Sequence, residues 1–193
     1  MTTPEHLASL SGEKKRALLA RVLREKARQK GDLPLSYAQQ RLWFLDQLEP
    51  NSPLYNIATA FRLKGRLDRG ALQFALDRIV ARHEPLRTRF ESQGESPVQV
   101  IDPAQPVPLV EVDLSGLPAV SRDAQVETLL SAEARQPFDL ARDSMIRCKL
   151  FRLGPDEYIL VLTLHHIAGD EWSLKILLRE LGECYRARLE ARD

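Results

Sequence analysis

Residues 158–171, with the sequence YILVLTLHHIAGDE, decide the fold of this chain. A run of seven aliphatic, β-branched and aromatic residues at 158–164 predicts a buried strand. Trp172 and Ser173 follow, and a helical pattern begins there. Two adjacent histidines and an aspartate therefore lie at the end of a strand and just before a helix, where sheet-based enzymes often keep their polar groups.

The sequence on either side of this stretch predicts a mixed fold. Met145 to Leu153 and Glu157 to His165 form two strands, and the short connection between them requires antiparallel pairing. Further strands are predicted at 56–64, 87–92 and 97–101, and helices follow the caps Ser36 and Asp68, run over 120–136, and extend from about Ser173 to Arg192. Prolines 103, 106 and 108 indicate an extended connection. We expect an α/β fold with a mixed, mostly antiparallel sheet flanked by helices.

Composition excludes several classes of function. The chain has 193 residues, 44% of them hydrophobic and 28% charged, with a formal net charge of +1. This balance gives no electrostatic reason to expect nucleic acid or a membrane as partner. No apolar run approaches the roughly 20 residues that span a bilayer, and the N-terminus lacks the pattern of a secretion signal. We expect a cytoplasmic protein whose Cys148 and Cys184 are buried, free thiols.

A basic segment precedes the main domain. Residues 13–30 carry eight Lys and Arg residues and place Leu18, Leu19, Val22 and Leu23 at helical spacing. The sequence predicts an amphipathic helix outside the core, with a boundary at 31–34. This helix is either a solvated linker or a docking segment for an upstream protein, and surface contact with membrane or nucleic acid is a weaker alternative. We therefore divide the chain into a lead-in, residues 1–31, and a domain, residues 32–193.

The two histidines have different expected roles. Neighbouring residues on a strand point to opposite faces, so His165 and His166 cannot easily bind one metal ion, and the spacing fits no zinc pattern. One ring should be held in the core, and the other should face an opening where it can exchange protons near neutral pH. The alternative is that both histidines lie in the core, with their hydrogen-bonding groups paired, and take no part in proton exchange. Because the chain has no nucleophile elbow and no phosphate loop, we expect direct transfer between two bound substrates.

Three motifs together resemble those of nonribosomal peptide synthetase condensation domains. Residues 165–171 resemble the HHxxxDG signature, residues 36–45 the motif SxAQxRLWxL, and residues 82–90 the motif RHExLRTxF. They occur in the family's order and span nearly all of the domain. Residues 10–30 also resemble the helical lead-in that is common before such domains.

The resemblance implies one lobe of a chloramphenicol-acetyltransferase-like fold. In that fold two similar lobes form a V, and the catalytic motif lies in a tunnel between them. The implied reaction is amide formation between donor and acceptor substrates, which arrive as thioesters on the phosphopantetheine arms of upstream and downstream carrier proteins. No cofactor would bind directly. An adjoining adenylation domain, the missing C-terminal lobe, and an upstream synthetase contacting residues 1–31 would be further partners.

The resemblance also assigns roles to residues. His166 would be the catalytic position, His165 a structural one, and Asp170 would hold the loop through an ion pair with Arg87. Gly169 would provide the backbone freedom that the tight turn requires. Among the supporting residues, Arg41 would be a buried ion-pair partner. Glu171, Trp172 and Ser173 would lie beside the motif. Trp43 and Phe44 would lie in the core.

Two departures from the family pattern stand out. Glu171 replaces the motif's glycine and adds bulk and charge close to His166. The later family motifs are absent, so we expect this lobe alone to be inactive and to expose apolar surface.

The sequence of the first motif is closer to that of the subclass that accepts L-configured donors. The alternatives are an epimerising or ester-forming relative, and a silent domain that recruits a carrier or tailoring protein.

Overall fold

Two β-sheets and four α-helices make up residues 33–93 and 96–191, the part of the chain that this computed structural model describes. The helix predicted for residues 13–30 lies outside that part. The strands are β1 (Leu33–Pro34), β2 (Asn56–Lys64), β3 (Thr88–Gln93), β4 (Ser96–Ile101), β5 (Leu109–Asp113), β6 (Ile146–Gly154) and β7 (Glu157–His165). The helices are α1 (Tyr37–Leu48), α2 (Arg69–Arg82), α3 (Ala119–Arg135) and α4 (Glu171–Leu189), and a 3₁₀ turn spans Glu84–Arg87.

Strand β7 lies inside a four-stranded sheet of order β2-β7-β6-β5. It pairs antiparallel with both β2 and β6, which confirms the predicted β6–β7 hairpin. The residues of β7 are buried from Ile159 through His165. Helices α2 and α4 cover one face of this sheet through the largest apolar cluster, and helix α3 packs against a second cluster around Phe151 and Val161. The unbroken apolar run thus reflects burial on both faces.

Strand β5 is an element that the sequence pattern did not predict. The residues after the prolines form this strand, which pairs parallel with β6. Parallel neighbours need a long crossover, and helix α3 supplies it between β5 and β6. The strands predicted at 87–92 and 97–101 are confirmed as β3 and β4, which pair antiparallel with each other in a separate sheet of order β1-β4-β3.

A smaller apolar cluster joins the second sheet to the turn after β7. Phe90, Phe138, Met145 and Ile167 are buried together, and Trp43 packs against them from helix α1. The prediction for Trp43 is therefore confirmed. The prediction that its neighbour Phe44 lies in the core is wrong, because the Phe44 side chain is 56% exposed.

Side-chain caps fix where the helices begin. Ser36 Oγ accepts from the Gln39 amide at 3.3 Å, while Gln39 Oε1 accepts from the Ser36 amide at 2.9 Å, which is a capping box. Asp68 Oδ1 accepts from the Ala71 amide at 2.8 Å. Both starts agree with the sequence prediction.

The remaining composition-based predictions concern the thiols and the membrane. Cys148 is buried and Cys184 half-buried, and both are free. Among the described helices, none combines the length and apolar character that a membrane crossing requires.

Candidate functional site

An open groove of about 620 Å³ lies between the first turns of helix α1 and the turn that follows strand β7. Its α1 wall includes Ser36, Gln39 and Arg41. Its other wall includes His166, Asp170 and Ser173. The structure therefore brings the first and third sequence motifs together, although more than 100 residues separate them.

His166 presents its side chain to this groove. The residue is exposed, whereas the adjacent His165 is only 3% exposed. The His166 amide donates to the carbonyl of Tyr55 over 2.9 Å, which extends the β2–β7 ladder by one bond and fixes the backbone at this point. The predicted division, with one ring in the core and one facing an opening, is thus what the structure shows.

His165 is held neutral in the core. Its Nδ1 accepts a hydrogen bond from the Ile167 amide at 3.2 Å, which requires that nitrogen to be unprotonated. Burial, together with the neighbouring His166 and Arg147, lowers the pKa of His165 to about 4. The rings of Phe138 and Tyr55 contact it edge-on, with centroids 5.7 and 6.3 Å away. A ring held in this way shapes the turn and does not exchange protons at neutral pH.

Asp170 is the N-cap of helix α4. Its Oδ1 accepts from the Ser173 amide at 2.8 Å and from Ser173 Oγ at 2.7 Å. These two hydrogen bonds hold the pKa of Asp170 below its ordinary value. Gly169 packs close to the same serine, because a Cβ at position 169 would lie 3.0 Å from Ser173 Cβ. Asp170, Ser173 and Gly169 together set the geometry of the turn.

The predicted ion pair between Arg87 and Asp170 is wrong. Arg87 ends the 3₁₀ turn, where its Nε donates to the Val80 carbonyl at 3.3 Å and its Nη1 donates to the Asp102 carbonyl. Its Nη2 lies 3.7 Å from a carboxylate oxygen of Glu84. Arg87 therefore closes the end of helix α2 against the end of strand β4, while Asp170 holds the turn through Ser173.

Two other predicted supporting residues also lie elsewhere than expected. Arg41 is exposed on the wall of the groove, so the prediction of a buried ion-pair partner is wrong. Glu171 does not line the groove: it begins helix α4 and pairs with Lys175 one turn later at 3.1 Å. Trp172 is 70% exposed. The expected crowding of His166 by Glu171 is therefore not observed.

A buried ionic cluster behind His165 was not predicted. Glu133 of helix α3 is 1% exposed and pairs with Arg147 at 2.8 Å and Lys149 at 2.6 Å. Burial alone would raise the pKa of Glu133, but the hydrogen bonds from Lys149 and Arg147 outweigh it and lower that pKa. The available signal was the pair Arg147 and Lys149, two cations at alternating positions among buried apolar residues of strand β6, which need an acid as partner.

The site offers no metal-binding constellation. Within residues 33–93 and 96–191, no group of three His, Cys, Asp or Glu side chains is placed to hold a metal ion. The groove presents an exposed imidazole and a capped turn on one wall and the exposed Arg41 on the other, which suits proton transfer and positioning of a substrate.

Comparison with known proteins identifies similar sequences. The family model described as Condensation domain matches residues 29–193. The chain is 45% identical over 170 residues to the dimodular nonribosomal peptide synthase of Bacillus subtilis (strain 168), covering 88% of this chain and 7% of that protein. It is 46% identical over 156 residues to malpibaldin synthetase of Mortierella alpina, covering 80% of this chain and 3% of that protein.

Solved structures agree in fold. The first condensation domain of the calcium-dependent antibiotic synthetase superimposes with a TM-score of 0.76 at 29% identity, over 84% of this chain and 39% of that chain. The X-domain from teicoplanin biosynthesis gives a TM-score of 0.74 at 36% identity, over 83% of this chain and 34% of that chain. The chain thus has the fold of one lobe of these chloramphenicol-acetyltransferase-like domains and spans less than half of their length.

Proposed function

This chain belongs to the condensation domain family of nonribosomal peptide synthetases, and from that premise we propose that it is the N-terminal lobe of a domain that forms a peptide bond. The donor and acceptor are substrates tethered as thioesters to the phosphopantetheine arms of two carrier proteins. The observation that carries the proposal is the exposed His166 on the groove wall, next to a neutral, buried His165.

The proposed chemistry requires one group that accepts a proton. The amine of the acceptor attacks the carbonyl carbon of the donor thioester, so a C–N bond forms and the C–S bond breaks. The ring of His166 accepts a proton from the attacking nitrogen, and the departing thiolate takes up a proton. A positioned imidazole suits this exchange near neutral pH. Holding both substrates in one groove also raises the reaction rate, because the two reacting groups are kept close together.

The proposed partners follow from the same family. Upstream and downstream carrier proteins would deliver the substrates, and an adenylation domain would activate the amino acid for loading. A C-terminal lobe would close the groove over His166. Residues 1–31 would contact an upstream synthetase or link to one, and we place the whole assembly in the cytoplasm, where its activated substrates are made.

Stereochemistry of the donor is a finer part of the proposal. The amino-acid sequence of residues 36–50 favours the subclass that accepts L-configured donors. A donor carrier loaded with the L-aminoacyl group should then give product faster than one loaded with the D form. Faster product formation from the D form would place the domain after an epimerisation step instead.

The experiment is a condensation assay on the complete two-lobed domain with loaded donor and acceptor carriers. Wild type should form the amide, and His166→Ala should lose about 10²–10⁴-fold in rate with an unchanged melting temperature. Glu171→Gly should turn over like wild type, because Glu171 lies outside the groove lining and pairs with Lys175.

Other outcomes separate the alternatives. No turnover by wild type, rescued by Glu171→Gly, would show a domain silenced at one position and retained for binding. An ester product, or inversion of the donor without bond formation, would assign the domain to the ester-forming or epimerising relatives.

A further inference from the structure

Arg147 is held by several hydrogen bonds near the buried His165. It lies at the start of strand β6, and its Nε donates to Glu133 Oε1 at 2.8 Å. Its other N–H groups donate to the carbonyls of Glu133, Gln136 and Pro137, at the end of helix α3 and just beyond. Carbonyls at a helix C-terminus carry partial negative charge and favour a cation there. The guanidinium is therefore fixed from several directions.

One aromatic ring connects this guanidinium to His165. The central carbon of the Arg147 guanidinium lies 3.8 Å from the centroid of the Phe138 ring. Phe138 is buried and meets the His165 ring edge-on, with an interplanar angle of 72°. Removing the cation would free the phenyl ring on one side, and the histidine ring would then lose a fixed neighbour.

His165 in turn controls the backbone that carries His166. Its Nδ1 accepts from the Ile167 amide, and its carbonyl accepts from the Ala168 amide at 3.0 Å. These two bonds close the turn immediately after His166. Only an unprotonated Nδ1 can accept the first of them, so protonation of His165 would open the turn at this point.

The charges around His165 come from several elements. Arg147 on β6 and His166 beside it both disfavour the imidazolium form, in addition to the effect of burial. A cavity of about 150 Å³ adjoins the ring at the end of helix α1. The titratable groups that line this cavity with His165 are Asp46, Glu49 and Tyr55.

We propose that Arg147 is a positioning residue for the reaction, acting through Phe138 and His165 to fix the turn that aims His166 into the groove. This inference rests on the proposed function of His166, but its first link, from Arg147 to His165, can be measured without turnover. Arg147 does not line the groove, so it acts without touching substrate.

Lys149 provides a matched control for this inference. It pairs with the same carboxylate of Glu133 from the same strand, at 2.6 Å. Arg147, in addition, stacks on the Phe138 ring that meets His165, and its charge contributes to the lowered pKa of His165. A purely structural role for the cluster predicts that Lys149→Gln and Arg147→Gln have the same effects. A positioning role predicts that only Arg147→Gln changes the titration of His165 and the turnover rate.

The first measurement is the condensation assay on the complete domain with three variants. Arg147→Gln should lower kcat by about 10- to 100-fold with little change in KM, because a small misplacement of the reacting group is costly. Its rate should also fall more steeply than that of wild type as the pH is lowered from about 7 to about 5. Arg147→Lys, which keeps the charge, should restore the pH profile, and Lys149→Gln should match wild type in both respects.

The second measurement is the NMR titration of the His165 ring in the same domain. In Arg147→Gln the ring should take up its proton at higher pH than in wild type, and in Lys149→Gln it should not. Phe138→Leu, which leaves the ion pair in place, supplies a second test if Arg147→Gln does not fold: its kcat should fall in the same way. An unchanged His165 titration in Arg147→Gln would overturn the inference, whereas inactivity of wild type would overturn only the proposed function.

Discussion

A neutral histidine inside a sheet makes stability depend on pH. In the folded chain the pKa of His165 is lowered to about 4 from an ordinary value of 6.5. The unfolded chain therefore binds more protons between these values, and stability falls as the pH falls through this window. The effect is absent above about pH 6.5 and is complete by about pH 4.

We predict that this single residue destabilises the chain by roughly 3 kcal/mol on going from pH 7 to pH 4, at about 1.4 kcal/mol per pKa unit. Urea unfolding at several pH values measures the effect. His165→Gln should flatten the dependence between about pH 6.5 and about pH 5, where few carboxylates titrate. His166→Gln is the control, because His166 is exposed and its replacement should leave most of the slope. Equal slopes in wild type and His165→Gln would contradict the prediction.

At this scale, strand alternation was enough to predict that one of the two histidines is buried and the other exposed, and the family resemblance indicated which. The partners of Arg87 and the exposure of Arg41 were not predictable in the same way. Arg87 sits where the 3₁₀ turn meets strand β3, so its direction depends on a turn that periodicity does not describe. The Glu133–Arg147 pair joins residues on a helix and a strand, and only the packing of those two elements decides which acid meets which cation.

Among the elements, the start of helix α4 decides the shape of the turn that carries His166. Asp170 accepts both the amide and the hydroxyl of Ser173, and Asn caps a helix about as well as Asp. We predict that Asp170→Asn keeps the melting temperature and most of the turnover, while Asp170→Ala lowers both. Thermal melting and the condensation assay measure these effects. Loss of turnover in Asp170→Asn at an unchanged melting temperature would show that the charge itself is needed.

A second prediction for helix α4 concerns space between its first turn and Gly169. A Cβ at position 169 would lie 3.0 Å from Ser173 Cβ and 3.3 Å from its Oγ, so Gly169→Ala requires Ser173 to shift by a few tenths of an ångström and strains the cap. We expect a cost of about 1–3 kcal/mol. Gly182→Ala in the same helix is the control: it meets nothing within 4 Å and should stabilise by up to about 1 kcal/mol. Chemical denaturation measures the free energy of unfolding of both variants. An unchanged free energy of unfolding in Gly169→Ala would contradict the close approach.

Helix starts were predictable where a cap is local, as at Ser36 and Asp68. The start of helix α4 was placed about two residues late, because Asp170 was assigned to the loop and not recognised as the cap. Strand β5 was not predicted, because five residues after a proline-rich stretch carry little periodic signal. Its place is set by parallel pairing with β6 across helix α3, which is a non-local contact. For the same reason the assignment of strands β3 and β4 to a separate sheet could not be inferred from their own sequence.

At the scale of the whole molecule, one helix leaves apolar surface uncovered beside the groove. Tyr37, Phe44 and Leu48 follow one face of helix α1 at helical spacing, and Tyr37 is 92% exposed. Arg41 lies on the same face, within the groove wall. A stripe of this kind is typical of a surface that another part of a protein covers.

We predict that the isolated chain self-associates through this stripe. Sedimentation velocity at increasing concentration should show dimers or larger species, and the double variant Phe44→Ser/Leu48→Ser should shift the population towards monomer. Val120→Ser is the control, because Val120 is more exposed than either residue but lies in the first turn of a different helix, α3. A chain that stays monomeric at all concentrations would show that the stripe is tolerated in water.

The two walls of the groove are carried by different sheets. Helix α1 follows strand β1 and is tied to strand β4 by the Gln39–Gln99 side-chain hydrogen bond of 3.3 Å, whereas His166 extends strand β7. Strand β7 is paired on both sides, so His166 is attached to an interior strand of the larger sheet. We therefore expect the width of the groove to depend on how the smaller sheet packs against the larger one. Substitutions of Phe90 or Met145, which lie in the apolar seam but do not line the groove, should adjust this aperture from a distance.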